Sequence, residues 1–88
     1  MITIYKYVID VGSNTKDVNL GAEVLSIQIQ HDRFSVWARV DDAQPKRPRG
    51  FYIAMTGQNL DLCEAAGWDY KGTVQHGTFV FHLFVEPS

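Results

Sequence analysis

At 88 residues the chain is expected to form one small domain, and with 45% hydrophobic and 20% charged residues it is globular rather than disordered. A net charge of −2 argues against nonspecific nucleic-acid binding and is too small for an acidic mimic of DNA. The single cysteine, Cys63, excludes an internal disulfide, no stretch is long enough to span a bilayer, and the opening MITIYKYVID lacks the charged start and apolar run of an export signal, so a cytoplasmic location is expected.

Thr3 to Ile9 reads as a first strand, rich in β-branched and aromatic residues. Asp10 to Asn14 supplies turn residues, and Asp17 to Leu20 reads as a short strand with Val18 and Leu20 inward. The most regular stretch is Glu23 to Asp42, where Leu25, Ile27 and Ile29 alternate with polar residues and Phe34, Val36, Ala38 and Val40 alternate likewise. Both apolar sets fall on one face only if the hairpin loop has an even length, because a one-residue slip moves every side chain across the sheet. A loop of Asp32-Arg33, or of His31 to Phe34, sets Ile29 opposite Val36 and Leu25 opposite Val40. On the other face it sets Trp37 opposite Gln28 and Arg39 opposite Ser26, as a contact surface or beneath another strand of the chain.

The prolines and glycine of Asp41 to Gly50 predict a loop, and Phe51 to Thr56 a strand that pairs back with Val36 to Val40. Leu60 to Ala66 is expected as a short helix, capped by Asn59, stopped by Gly67 and packed through Leu60 and the alanines. Trp68 to Phe84 reads as a last hairpin turning at His76-Gly77, which sets Val74 opposite Phe79, Gly72 opposite Phe81 and Tyr70 opposite Leu83. Glu86-Pro87-Ser88 reads as a tail. The whole predicts a mainly β fold: a small antiparallel sandwich or open barrel of six to seven strands with one short helix near 60–66. Aromatic residues at 12%, many in runs with no clean polar face, predict a self-associating surface and a homo-oligomer.

The pattern holds no catalytic or metal set, and no cofactor is expected. No two of His31, His76 and His82 fall on one face of a strand pair with a carboxylate or cysteine nearby, whereas zinc needs three or four convergent ligands. Cys63 sits in an alanine-rich helix with no histidine near it in sequence and reads as a packing residue. Asp41 and Asp42 are adjacent on a strand and point apart; no phosphate-binding glycine loop occurs. The one constellation with chemistry is Lys46, Arg47 and Arg49, with Arg39 and the rings Trp37, Phe51 and Tyr52. Guanidinium forks take phosphate oxygens at two points and rings stack on bases, so Trp37, Arg39, Lys46, Arg47, Arg49 and Tyr52 form a candidate ligand site. The competing reading is a solvated loop balanced by Asp41 and Asp42.

Several segments carry a resemblance: IYKY at Ile4–Tyr7, AEVLSIQIQ at Ala22–Gln30, VWARVDD at Val36–Asp42 followed by a proline and a basic residue, FYIAMTGQ at Phe51–Gln58, and YKGTVQHGTFVFHLF at Tyr70–Phe84. Through them the chain resembles a family of small uncharacterised phage and prophage proteins. Members share a Gly-Thr-Gly-like turn that here is Met55-Thr56-Gly57, without the first glycine. The resemblance implies a protein made in the cytoplasm of an infected bacterium, accessory to infection and not part of the virion. The expected function is non-enzymatic binding that counters a host process such as antiviral defence. The target would be a host protein or a small nucleotide signal. The alternatives are a small hydrolase of nucleotide signals or a minor phage structural protein.

Overall fold

The computed structural model describes all 88 residues. Seven strands form two antiparallel sheets: β1 (Ile2–Ile9), β4 (Arg33–Asp41) and β3 (Glu23–Gln30) in one, and β2 (Gly12–Asn19), β5 (Lys46–Met55), β7 (Phe79–Val85) and β6 (Asp69–His76) in the other. The sequence left sandwich and barrel open; two separate sheets facing across one core make it a sandwich. Alternation supplies that core. Val36, Ala38 and Val40 from β4 meet Phe51 and Ile53 from β5 and Leu83 and Val85 from β7, all 1% exposed or less.

The central hairpin has the expected parity and a register two residues away from the expected one. Ile29 lies opposite Phe34 and Ile27 opposite Val36, so the loop is His31-Asp32, with φ of 51° and 60°. Two positive φ values are what a type I′ turn requires. A bulge between Val24 and Ser26 then overturns the expected face for Leu25: Val24 is buried opposite Ala38, and Leu25 is 47% exposed. Trp37 consequently sits opposite Ser26, and Arg39 opposite Glu23.

The expected pairing of Phe51–Thr56 with β4 is not formed. The turn after Asp41 carries the chain across to the other sheet, where β5 pairs with β2 and β7. Phe51 and Ile53 are then buried against β4 from the opposite layer. The basic segment expected as a loop is the first half of β5, with Lys46 opposite Asn19 and Arg49 opposite Lys16. Pro48 is tolerated because β7 pairs only from Phe51 onward, leaving β5 a local edge there. On its other side β2 is correspondingly longer than expected and begins at Gly12.

The last hairpin also keeps its parity and shifts by two. It turns at Gly77-Thr78, setting Val74 opposite Phe81 and Gly72 opposite Leu83; a bulge between Tyr70 and Gly72 then sets Tyr70 opposite Phe84. Gly72 makes room for the other sheet: at φ 146°, a Cβ there would lie 3.0 Å from Ile27 Cγ2 on β3. The residues expected as a free tail are docked. Glu86 N–H donates to Gly50 O at 2.9 Å, and Ser88 Oγ accepts from Gly21 N–H at 2.7 Å.

Candidate functional site

The six residues singled out in the sequence do not converge. Trp37 and Arg39 lie on the outer face of the β1–β4–β3 sheet, where Trp37 is half-buried with no element over it. Arg39 pairs with Glu23 at 2.6 Å across the exposed surface. Lys46 and Arg47 are exposed on β5 in the other sheet. Tyr52 is half-buried on the outer face of that sheet, opposite Ser13 and Phe84. Phe51, placed near the basic group by sequence, is wholly in the core.

Arg49 turns inward and is 8% exposed. Its Nε donates to Glu86 O at 2.7 Å and one terminal nitrogen donates to Ala22 O at 2.6 Å, so the side chain joins β5, the C-terminal segment and the start of β3. Burial lowers its pKa; the charges of Glu86 and Asp69 act in the opposite direction. With two of its five N–H donors on carbonyls and only 8% of the residue exposed, the guanidinium is poorly placed to meet a phosphate from solvent. Beside it lies a crevice of about 80 Å3, between Asn19, Arg47 and Glu86 to Ser88. Asn19 is 3% exposed, donates to Gln44 O at 2.9 Å, and leaves its Oδ1 without a partner.

The larger concavity was not legible as a site in the sequence. It is a cleft of about 300 Å3 on the outer face of the four-stranded sheet, under helix α1 (Asp61–Ala66). Ser13 and Tyr52 of the sheet line one wall, Leu62, Cys63 and Ala66 of α1 the other, with Asn59 and Trp68 completing it. Local chemistry holds the helix. Asn59 Oδ1 accepts from Asp61 N–H at 2.7 Å. At the other end Gly67, at φ 71°, donates to Glu64 O while Trp68 N–H donates to Cys63 O, the bond pair of a Schellman stop. Contrary to the expected packing, no residue of α1 is buried, and Leu62 is 87% exposed.

Directly after the helix stop, Trp68 packs on the sheet. Its ring covers Gly50 so closely that a Cβ at that position would overlap the indole, with Cζ2 only 2.8 Å away. The sequence does hold a trace of the cleft: Leu62, Cys63 and Ala66 recur at i, i+1 and i+4, an apolar helical face with no core to join.

The cleft wall contains no lysine, arginine or histidine. Its one thiol is subdued: burial pushes the Cys63 thiol up, and the adjacent Glu64 adds to this. Elsewhere on the same sheet face, His82 is held by two hydroxyls, Thr56 at 2.8 Å from Nε2 and Thr73 at 3.0 Å from Nδ1, with Tyr70 bonded to Thr73. Neither cavity reaches that row. No three His, Cys, Asp or Glu side chains converge, and no helix is long and apolar enough to cross a membrane.

The chain belongs to a family defined by a domain of unknown function, DUF7352, whose model matches residues 1–88. No curated protein and no solved structure gives a match.

Proposed function

We propose that this protein is a non-enzymatic binding protein that takes an uncharged apolar or aromatic side chain of a partner protein into the cleft beneath α1. One observation carries the reading: a preformed cavity of about 300 Å3, walled mostly by the apolar and aromatic residues Tyr52, Trp68, Leu62, Cys63 and Ala66, with Ser13 and Asn59 completing it. Specific pockets are mostly apolar with a few placed polar groups, and aromatic walls dominate protein interfaces. A nucleotide is the weaker candidate because its phosphates would find no cation in this wall, and Arg49 is engaged elsewhere. Hydrolysis is weaker still, since no histidine or carboxylate lines the cleft to activate Ser13 or Cys63. The resemblance to phage and prophage proteins supplies the setting: a bacterial cytoplasm, with a host protein as the target whose activity is blocked.

The reading is tested by titrating the protein with N-acetyl-tryptophanamide, N-acetyl-leucinamide and adenosine monophosphate while following backbone amide resonances. The uncharged amides are expected to shift Ser13, Tyr52, Cys63 and Trp68 saturably, and Ala66→Trp, which fills the cleft, to remove those shifts. Shifts confined to Lys46 and Arg47 with the phosphate compound, and none with the amides, would reverse the assignment in favour of a nucleotide.

A further inference from the structure

The two sheets leave four strand edges, and three of them carry devices that discourage pairing with another chain. Edge strand β3 has the Val24/Ser26 bulge and Glu23. Edge strand β6 has the Tyr70/Gly72 bulge, with Asp69 and Lys71. Edge strand β2 carries Lys16 and Asp17 in a mostly polar sequence. Bulges and charges are the usual means of blunting an edge.

Strand β1 has neither protection. It pairs with β4 over eight consecutive positions, Ile2↔Asp41 to Ile9↔Phe34, without a bulge. Its one charge, Lys6, is drawn away from the edge: Nζ donates to Gln30 Oε1 at 2.7 Å, on β3 at the far side of β4. Ile2 and Ile4 are 69% and 57% exposed, and Tyr5 is 38% exposed.

The backbone directions follow from the ladder. Asp42 N–H donates to Met1 O at 3.0 Å, which makes that pair a hydrogen-bonded one. Such pairs alternate along an antiparallel ladder, so Thr3, Tyr5, Tyr7 and Ile9 bond to β4, while Ile2, Ile4, Lys6 and Val8 aim their N–H and C=O groups at the free edge.

We infer that β1 is a dimerisation edge, pairing antiparallel with β1 of a second copy about a two-fold axis at Tyr5. That register sets Ile4 opposite Lys6 and Ile2 opposite Val8, so the outward-aimed backbone groups meet one another. It also sets Thr3 opposite Tyr7. Centring the axis on Lys6 satisfies the same backbone groups but places two ammonium groups face to face, which is unfavourable. The Tyr5 register spans most of the strand without like charges opposed, and an isologous contact of this kind closes on itself. The two three-stranded sheets then become one of six strands. A single strand pair covers less than the roughly 800 Å2 per partner of a standard interface, so the dimer is expected to dissociate reversibly in the micromolar range.

Sedimentation velocity over a range of concentrations tests this, with amide hydrogen exchange at the dimeric end. A dimer is expected, with the Ile4 and Lys6 amides protected only in that state. Ile4→Lys, which opposes two ammonium groups across the axis, should weaken it about tenfold. Ile4→Pro removes an outward N–H without touching the bonds to β4 and should weaken it at least as much. Leu25→Lys, on β3 at the other edge of the sheet, should leave it unchanged. A protein monomeric throughout, accepting only an extended segment of another chain, overturns the inference. So does a dimer that responds to Leu25→Lys and not to the two Ile4 variants.

Discussion

The Arg49 corner and the α1 cleft lie back to back across β5, one residue apart. Arg49 points into the sandwich and Gly50 out of it. On the inward side a charged group is buried and met by carbonyls from two other segments, with the Glu86 carboxylate further accepting from Gly50 N–H at 2.9 Å. On the outward side a helix with no buried residue lies beside the Trp68 indole, which packs on Gly50, and leaves a mostly apolar cleft. The first arrangement uses its polar groups to close the structure. The second leaves apolar surface uncovered, which is useful only if something enters. Under the proposed function the corner serves stability and the cleft serves recognition, whereas the sequence pointed to the arginines for ligand binding.

The largest effect should come from the corner. Arg49→Ala removes a buried donor and strands the Ala22 and Glu86 carbonyls, which should cost about 2–4 kcal/mol in urea unfolding. Arg47→Ala, two residues earlier and exposed, should change stability by less than about 0.5 kcal/mol. Equal effects from the two arginines would mean that the corner is not a closed joint, and would return Arg49 to the list of groups free to bind a ligand.

Next comes the shared wall. Gly50→Ala places a methyl group where the Trp68 ring now lies, forcing the indole and the end of α1 away from the sheet. The expected cost is about 1–3 kcal/mol, as for other overpacked sites, with tryptophan emission moving to the red as the ring becomes wetter. Unchanged emission and stability would show that α1 is held by something other than the contact between Trp68 and Gly50.

The two-residue period of the strands made much of this architecture readable. It fixed the parity of both hairpins, and with it which residues of β4 and of β7 share the face that forms the core. It could not fix register, because a slide of two residues keeps every side chain on the same face; His31-Asp32 adopted the turn without the glycine or asparagine that would have marked it. The bulge at Leu25 was equally silent, since a bulge is decided by how the partner strand twists. Pro48 and its basic neighbours read as loop because prolines break ladders, yet a strand with one neighbour tolerates them. The cleft was the least legible feature. It depends on Trp68 meeting Gly50 across an intervening strand and helix, a long-range contact with no local signature.

The smallest effect on stability is the most informative about function. Leu62 is 87% exposed at the cleft, so Leu62→Gln should change unfolding stability by no more than about 0.5 kcal/mol. The same change removes the outermost apolar group of the α1 wall, and the shifts that N-acetyl-tryptophanamide induces at Tyr52 and Trp68 should weaken or vanish. A variant as stable as the parent that no longer responds separates recognition from folding, as the contrast between the two regions requires. If stability falls instead, α1 is an anchor that needs Leu62, and the cleft is a by-product of packing. If neither stability nor response changes, the ligand contacts the sheet wall at Ser13 and Tyr52 without using the helix.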